Sequence, residues 1–427
     1  MKGRLITKGF LLSFLLLLIW FKQSTPLGLS NARSLGLGGA YTAVARNNEA
    51  PLWNPANLSF KDNKGFTLNL ISLGVFVGNN ALSFKDYDRH KDGFKDEEGN
   101  DEDKEKILSL IPSSGLNFYT EIEASALGIS FGPFSLVSWA TADLDLNASK
   151  SPFEALLLEH DIKESDTISL NGTSGEAYAY ATVSLSYGKS ISEKEEREIG
   201  IGVNLKYLQG IYYEKVMKAS GEVILDTTAG VGGGAADVTL RSATGGKGFG
   251  LDLGISVRLN QKWTLGFFLS NPICSINWNK ETEELSYVFE FDTSDLQPGD
   301  SAEVDFKKTE EKGIKSFTTH LPVIAKAGVA YQVKKMLVAF DWEQGFKDAP
   351  GSSKKPKLSL GTELKLLSFL PLRAGLSLGG KEGFCLSSGF GLDFGFAFLD
   401  LGMINKEALL PLGSKGLGVA LDCGLRF

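Results

Sequence analysis

The chain has 427 residues, a formal net charge of -7 at pH 7 and a mean hydropathy of -0.03. The negative charge argues against the basic surface of a nucleic-acid-binding protein, and the three cysteines, Cys274, Cys385 and Cys423, lack the spacing of a metal site. Neutral hydropathy does not exclude a membrane protein, because strands that alternate apolar and polar residues average to zero.

The first 32 residues have the pattern of a cleaved secretory signal. Basic residues precede an apolar run from Phe10 to Phe21, which is shorter than the ~20 residues that a membrane-spanning helix needs. The small residues of Ser30-Asn31-Ala32 predict cleavage after Ala32, which would remove four basic residues and leave a net charge of -11. The alternative is an uncleaved anchor.

A segment rich in small residues follows, with glycines at Gly36, Gly38 and Gly39. These glycines superficially resemble a dinucleotide-binding loop. However, no strand precedes them and no acidic residue follows at the distance that such a site needs. We instead predict that the small residues let this segment pack closely inside a barrel.

A short box with the sequence Trp-Asn-Pro-Ala lies just before the first predicted strand. Asn54 precedes Pro55, so its backbone is predicted to be extended, with its side chain accepting a hydrogen bond from a following amide. Pro55 is predicted to begin a short helical turn through Ala56 and Asn57. Trp53 would be a large apolar wedge. The box is interpreted either as a structural attachment to the wall or as part of a gate.

Alternating strands are predicted for the rest of the chain. Residues 199–207 alternate apolar side chains with small or polar ones, and similar runs lie at 249–259, 358–366 and 390–398. Each run has the ~9–11 residues of a tilted membrane-spanning strand, and charges such as Asp252 fall on the inner face.

The predicted segments, about 14 of them, lie near 66–76, 81–87, 116–124, 126–141, 177–190, 198–214, 219–229, 248–260, 262–271, 285–292, 322–333, 336–346, 356–380 and 384–427, and the last two hold more than one strand each. Aromatic residues near their ends would form interfacial girdles: Tyr187, Tyr207, Trp263, Tyr331 and Trp342.

The connections between these segments include two long polar excursions, 84–106 and 281–312. The first is predicted to be an extracellular loop that leads into a short helix at 102–110, and its acidic cluster could alternatively bind calcium. A second short helix is predicted at 152–160, with Ser151 as its cap. Residues 230–236 are glycine-rich but lack the Lys-Ser/Thr of a phosphate-binding loop, so a flexible turn is predicted there.

The last strand alternates Leu421, Cys423 and Leu425 with small or charged residues and ends on the aromatic Phe427. Such an amphipathic carboxyl-terminal strand resembles the signal that the outer-membrane insertion machinery recognises. We therefore predict that the barrel insertion machinery is a partner of this chain.

The glycine-rich stretch and the Trp-Asn-Pro-Ala box together resemble the FadL-type fatty-acid transporters and their relatives, which include assembly barrels of a gliding-type secretion system. The resemblance is close over residues 34–58. It implies an all-β fold, a transmembrane antiparallel up-and-down β-barrel of about 14 strands with short loop helices and an amino-terminal plug. The expected organisation is a signal peptide at 1–32, a plug at 33–60 and an outer-membrane barrel at 61–427.

Two functions remain open on the sequence. The first is an outer-membrane channel for small hydrophobic compounds, and the second is a non-transporting barrel that scaffolds envelope or secretion proteins. An enzyme is the weakest hypothesis, because a barrel lipase needs a histidine beside a serine and the three histidines, His90, His160 and His320, lie in predicted loops or at a strand boundary. We predict no catalytic residue, cofactor, metal or nucleic-acid partner; the expected partners are membrane lipid, a small hydrophobic ligand or an envelope protein.

Overall fold

The computed structural model describes residues 31–63, 65–91, 101–157, 166–194, 196–225, 232–292 and 305–427. Within these residues, nineteen strands form one antiparallel sheet, and the helices are few and short. The strands are β1 (Phe66–Asn79), β2 (Leu116–Phe131), β3 (Phe134–Ala148), β4 (Asp166–Ser169), β5 (Ser174–Lys194), β6 (Arg197–Leu225), β7 (Gly232–Ala243), β8 (Gly245–Leu259), β9 (Trp263–Lys280), β10 (Glu283–Asp292), β11 (Asp305–Gly313), β12 (Phe317–His320), β13 (Ile324–Val333), β14 (Met336–Gly345), β15 (Lys357–Leu367), β16 (Leu370–Gly379), β17 (Cys385–Asp393), β18 (Ala397–Lys406) and β19 (Gly416–Arg426). The α-helices are α1 (Ala32–Gly36), α2 (Ala50–Trp53), α3 (Phe84–His90), α4 (Asp101–Leu110) and α5 (Ser151–Leu157).

Fourteen of the strands close into a barrel. Each pairs with the next in the order β1, β2, β3, β5, β6, β8, β9, β13, β14, β15, β16, β17, β18 and β19. The circle closes because β19 pairs with β1, with Val419 opposite Val75. The predicted fold class and strand number are confirmed.

The outside of the barrel is apolar and the inside is small or polar. In β19, Val419 is exposed on the outer face, whereas Ala420 and Asp422 are buried on the inner face. The same outer face carries the half-buried Leu421, Cys423 and Leu425 of the predicted insertion signal, and Phe427 is exposed beside Phe66. Exposed apolar side chains cover the neighbouring strands too, including Leu73, Val75, Leu136, Val183, Leu185, Ile201, Leu205, Ile255, Phe340, Leu360, Leu376 and Phe390. So extensive an apolar exterior is typical of a barrel that meets lipid. In the described part of the chain, no helix is both long and apolar enough to cross a membrane.

The two ends of the barrel differ. At one end the strands are joined by short turns, such as Gly132-Pro133 between β2 and β3; at the other they are joined by long connections, such as residues 80–115. The turn at Gly132 divides the predicted segment 126–141 between two strands. Aromatic pairs lie at the short-turn end: Phe134 with Tyr187, ring centroids 4.9 Å apart, and Trp263 with Tyr331, 4.4 Å apart.

A smaller sheet extends the barrel wall at the long-loop end. The far half of β6 pairs with β4 and β7, β7 pairs with β10, and β10 pairs with β11. The prediction of a separate strand at 219–229 is therefore wrong for residues 219–225, because they continue β6. Residues 226–229 lie outside the described residues. The predicted flexible turn at 230–236 is also wrong from Gly232 onward, because these residues pair with β6 and β10 as part of β7.

The strand predicted at 81–87 is wrong, because residues 84–87 form the start of helix α3 and residues 81–83 precede it. Its amino terminus has a capping box: the Ser83 hydroxyl accepts a hydrogen bond from the Asp86 amide, and the Asp86 carboxylate accepts one from the Ser83 amide, each 3.1 Å long. Such a box favours helix over strand. The helix predicted at 102–110 is confirmed by α4. Helix α5 begins at Ser151 itself, and residues 158–160 of that prediction lie outside the described residues, as does most of the proposed calcium-binding cluster.

Candidate functional site: the plug in the barrel lumen

Residues 31–63, called the plug below, lie in the lumen ahead of β1. They comprise helices α1 and α2, a 3-10 helix at Asn47–Glu49 and a second one at Pro55–Ser59. Most of their side chains are buried, including Leu37, Tyr41 and Leu58. The plug therefore fills the barrel cross-section by packing against the inner wall.

The predicted glycines of the plug lie where its backbone touches the wall or turns. Gly38 has a φ of +67°, and a Cβ there would lie 2.9 Å from the backbone nitrogen of Leu376. Gly39 also has a positive φ, of +86°, and a Cβ at Gly36 would lie 3.2 Å from the Cβ of Arg373. Larger residues would be strained at Gly38 and Gly39, since positive φ disfavours L side chains.

The Trp-Asn-Pro-Ala box has the conformation that its sequence predicts. Asn54 is extended, its Oδ1 accepts a 3.1 Å hydrogen bond from the Ala56 amide, and Pro55 begins the 3-10 helix. The Asn54 Nδ2 donates to the hydroxyl of Ser256 on β8 over 2.9 Å. The box thus connects the plug to the wall.

The flanking residues of the box hold the plug together. The Asn57 Nδ2 donates to the carbonyl oxygens of Thr42 and Ala45, both over 3.0 Å. Trp53 packs edge-on against Tyr41, with ring centroids 5.5 Å apart, and the Lys326 ammonium of β13 lies 4.2 Å from the Trp53 ring centroid. These contacts support the structural interpretation of the box, whereas its predicted part in gating stays a prediction.

The wall opposite the plug carries glycines on its inner face, here called the glycine track. A Cβ at Gly202 would lie 2.2 Å from the amide nitrogen of Ala56, and one at Gly361 would lie 2.4 Å from the carbonyl oxygen of Leu37. The track consists of Gly188, Gly202, Gly254, Gly266, Gly328, Gly361, Gly375, Gly389 and Gly402. Each of these nine glycines stands opposite another of them on a paired strand. Only glycine lets the plug backbone approach the wall so closely.

A buried network of charges fixes helix α1 to the wall. The Arg33 guanidinium donates to both carboxylate oxygens of Glu363 on β15, over 2.8 and 3.0 Å. Glu363 also accepts a 2.8 Å hydrogen bond from Arg373 on β16, which donates to Asp400 on β18 over 2.5 Å. Glu363 is 3% exposed, so water does little to screen these interactions.

Two further carboxylates hold the middle of the plug. Asp341 on β14 accepts hydrogen bonds from the Tyr41 and Thr42 amides, over 2.9 and 2.8 Å, and the Tyr41 hydroxyl donates to Glu49. Burial raises the pKa of the Tyr41 phenol well above its usual value, so Tyr41 remains a hydrogen-bond donor at neutral pH. Near the end of the plug, burial alone would raise the pKa of Asp62, but Arg46 and Arg258 lower it on balance, which keeps this carboxylate ionised.

Cavities border the plug on both of its sides. A lower cavity of about 710 Å³ and a side cavity of about 1060 Å³ lie at the short-turn end, beneath the plug. An upper chamber of about 150 Å³ lies between the plug and the connection at 346–356. Its wall includes charged side chains of five strands or turns, Glu121, Lys326, Glu343, Lys357 and Glu382.

The connection at 346–356 folds inward and covers the upper chamber. The Tyr178 hydroxyl of β5 donates to the carbonyl oxygen of Pro350, and the Lys381 ammonium lies 2.6 Å from the Asp145 carboxylate across the barrel mouth. In the described part of the chain, the plug therefore covers one side of the upper chamber and the connection at 346–356 covers the other.

A family model described as "Family of unknown function (DUF5723)" matches residues 55–401. The chain belongs to this family. No curated protein matches the sequence.

Solved structures match the fold of this DUF5723 protein. The crystal structure of the Ralstonia pickettii toluene transporter TbuX has a TM-score of 0.51 and 12% sequence identity, covering 94% of this chain and 98% of the other. The crystal structure of a Pseudomonas aeruginosa FadL homologue has a TM-score of 0.50 and 12% identity, covering 95% of this chain and 100% of the other. The resemblance to FadL-type barrels is thus confirmed at the level of the fold. One of these neighbours is a transporter and the other a FadL homologue, and neither is described as an enzyme.

The residues considered for chemistry are dispersed. His90 pairs with Asp103 over 2.6 Å between α3 and α4, His320 ends β12, and His160 lies outside the described residues. His320 stands opposite Ser275 of β9, but among the described residues no side-chain hydrogen bond joins His90 or His320 to a serine. No group of three or more acidic, cysteine or histidine side chains in the described part of the chain could hold a metal. The cysteines Cys274, Cys385 and Cys423 are free.

The predicted cleavage after Ala32 stays a prediction. In the structure, Asn31 caps helix α1 by accepting a 2.8 Å hydrogen bond from the Ser34 amide, and the Ala32 amide donates to Asp422 over 2.5 Å. Cleavage at that position would remove the cap and leave the amino group of Arg33 as the new terminus.

Sequence reasoning missed the glycine track and the charge network. The alternation placed Glu363 and several of the glycines on inner faces, but not next to the plug. The available signal was the recurrence of glycine on the inner face of consecutive strands, which marks a close approach of another backbone.

Proposed function

We propose that this protein is an outer-membrane channel whose plug leaves its seat before a small solute passes. The closed barrel with an apolar exterior supports a position in a membrane, and the fold of the FadL homologue supports the outer membrane. In such barrels the short turns face the periplasm, so the lower cavity would open to the periplasm and the long connections would face outward.

The observation that carries the proposal is the way in which the plug is seated. Wall side chains do not fill this part of the lumen; the wall presents glycines, and a separate segment occupies the space. Hydrogen bonds and ion pairs, such as those from Arg33 and to Asp341, hold that segment. Water can replace such bonds at modest net cost, so the seat is suited to reversible release.

The solute class is the finer part of the proposal. Small hydrophobic compounds are supported by the FadL-type resemblance and by the fold shared with the toluene transporter TbuX. The upper chamber does not favour them, because Glu121, Glu343 and Lys357 are among the side chains that line it. Toluene therefore belongs among the probe solutes, together with polar compounds.

A docking barrel is the second candidate function, and the projecting sheet of β4, β7, β10 and β11 favours it. These strands lie beyond the barrel at the long-loop end, where a partner protein could bind to an extended surface. Such a barrel would have no need to release its plug.

Plug movement can be measured by chemical labelling of a buried position. Ala40 is 0% exposed inside the plug, so Ala40→Cys should react with a water-soluble maleimide only when the plug leaves its seat. Cys274, 4% exposed on wall strand β9 in a cluster that contains no plug residue, is the internal control. Cys385, which packs against Ala32 and Leu35 of the plug, and the outward-facing Cys423 are both replaced by alanine. In lipid vesicles, we expect the cysteine introduced at position 40 to label at least tenfold faster than Cys274.

The opposite result would be equal, negligible labelling of both cysteines over hours. If this protein also co-purified with a stoichiometric partner, the docking function would replace the channel.

A further inference from the structure

Asp422 on β19 is a buried carboxylate without an ionic partner. It is 3% exposed, and among the described residues no lysine, arginine or histidine pairs with it. Its Oδ2 accepts a 2.5 Å hydrogen bond from the Ala32 amide of the plug, and its Oδ1 accepts one from the Ser72 hydroxyl of β1. A buried charge is costly unless an opposite charge compensates it, so this carboxylate requires a cation that the wall does not supply.

A neighbouring carboxylate increases this requirement. Asp400 of β18 stands directly opposite Asp422 in the strand register, and like charges in that position destabilise a sheet. Arg373 compensates Asp400 and Glu363, over 2.5 and 2.8 Å, which leaves Asp422 as the uncompensated member of the pair. The register partner of Asp422 on β1 is Ser72. The uncompensated charge therefore lies at the seam where the last strand of the barrel meets the first.

The start of the plug is built into the wall beside Asp422. Ala32 is 0% exposed, and its carbonyl oxygen would lie 2.3 Å from a Cβ at Gly402, so the wall is shaped to receive this residue. The Oδ1 and the carbonyl oxygen of Asn31 accept hydrogen bonds from the Ser34 amide and hydroxyl, over 2.8 and 2.9 Å. A cut after Ala32 would discard all of these contacts. The fold therefore favours a mature chain that keeps both Asn31 and Ala32.

The backbone of Asn31 indicates where the mature chain begins. Its φ of +63° and ψ of 152° lie in a region that is essentially restricted to glycine. The restriction arises because the side chain comes too close to the carbonyl group of the preceding residue. When Asn31 is the first residue, that carbonyl group is absent, and the conformation carries no such strain.

A cut before Asn31 also supplies the missing cation. Three covalent bonds separate the Asn31 nitrogen from the Ala32 nitrogen, which lies 2.5 Å from the Asp422 Oδ2. An amino group at Asn31 therefore lies within ~7 Å of the carboxylate, and opposite charges in a buried site attract strongly over such distances. The sequence provides a recognition pattern as well, since Gly28-Leu29-Ser30 has small residues at the two positions that a signal peptidase reads.

We propose that signal peptidase cleaves after Ser30, two residues before the position predicted from the sequence, and that the new amino group of Asn31 pairs with Asp422 and stabilises the seam of the barrel. Water adds across the Ser30–Asn31 peptide bond: the released signal keeps the Ser30 carboxylate, and the Asn31 nitrogen takes up a proton and becomes an ammonium. This inference goes beyond the proposed channel and does not rest on it.

The first test locates the cut by the intact mass and the amino-terminal peptide of the protein from bacterial outer membranes. We expect a chain that begins at Asn31. Gly28→Leu spoils the pattern before Asn31 and leaves Ser30-Asn31-Ala32 intact, and it should reduce the ratio of mature protein to precursor in whole cells at least tenfold. The matched control is Ala32→Leu, which spoils only the later pattern and should be cleaved like the wild type. Because the ratio is scored on total protein, it does not depend on folding.

The second test asks whether the amino group stabilises the seam. A foreign signal sequence is used to make one protein that begins at Asn31 and another that begins at Leu29, in which the amino group is moved away from Asp422. In urea and lipid vesicles, Asp422→Asn should unfold at least tenfold faster than its parent when the chain begins at Asn31. The same substitution should change the rate less than threefold when the chain begins at Leu29. The control is Asp393→Asn, which loses its pair with Arg426 and should have the same effect in both proteins.

A mature chain that begins at Arg33, or at any residue other than Asn31, would overturn the cleavage site. Equal effects of Asp422→Asn in the two proteins would overturn the ion pair. Neither measurement depends on whether the plug moves, so its outcome is independent of the labelling of Ala40→Cys, and each proposal can fail while the other stands.

Discussion

Replacement of Gly202 by alanine is expected to unseat the plug and to convert the closed barrel into a leaky pore. A Cβ at this position would lie 2.2 Å from the Ala56 nitrogen and 2.2 Å from the Pro55 carbonyl carbon. Both atoms belong to the backbone, so no side chain can rotate away. Overpacking a well-packed site typically costs ~1–3 kcal/mol, and moving the plug is the available relief. Planar-bilayer recording should show a persistent ionic current for Gly202→Ala that the wild type lacks.

The control for this substitution is Gly313→Ala. A Cβ at Gly313 would have nothing within 4 Å among the described residues, and the φ of this glycine is not positive, so alanine should be tolerated. If Gly202→Ala were as silent as Gly313→Ala and equally stable, the glycine track would not be what allows the plug to sit in the lumen.

Replacement of Glu363 by alanine is expected to give the largest loss of stability. Glu363 lies between Arg33 of the plug and Arg373 of the wall, with distances of 2.8 Å to each, and is 3% exposed. Its removal leaves two guanidinium groups buried without their shared carboxylate. Breaking a buried ion pair in this way costs ~3–5 kcal/mol. Urea unfolding in lipid vesicles measures the loss.

An exposed ion pair provides the matched control. Glu154 lies 3.6 Å from Lys150 in an i,i+4 pair, and its side chain is 48% exposed. Such pairs contribute only ~0.3–0.5 kcal/mol, so Glu154→Ala should be nearly neutral. Comparable losses for Glu363→Ala and Glu154→Ala would show that the buried network does not hold the plug. In the double variant Glu363→Ala, Arg33→Ala, the loss should be smaller than the sum of the two single losses.

The barrel strands could be predicted because alternation is a local property. In β19 each side chain faces lipid or lumen according to its position, so Leu421 and Asp422 are assigned to opposite faces from the sequence alone. The conformation of the box was likewise predictable, since Pro55 restricts Asn54 directly. These features depend on neighbours in the chain.

The seat of the plug could not be predicted in the same way. Arg33 and Glu363 are 330 positions apart, and their contact depends on the register of all the strands between them. The pairing of Gly361 with Gly375 also depends on register, which alternation alone does not specify. Helix α3 was missed because an apolar alternation at 81–87 concealed the Ser83–Asp86 capping box.

The most direct test of the gated channel is to tie the plug to the wall and to release it again. A Cβ at Gly128 of β2 would lie 3.5 Å from the Cβ of Asn48, within the ~3.5–4.5 Å that a disulfide needs. The variant Asn48→Cys, Gly128→Cys, with Cys423 replaced by alanine, should therefore form a reversible tether. The measurement is the frequency of transient current openings in planar bilayers.

We expect the oxidised protein to show no openings and the same protein to recover them after addition of a reductant. Asn48 is replaced in the oxidised and in the reduced protein alike, so its loss cannot explain a difference in opening frequency between the two. Equal opening frequencies before and after reduction, with the disulfide verified by mass, would contradict a channel gated by its plug.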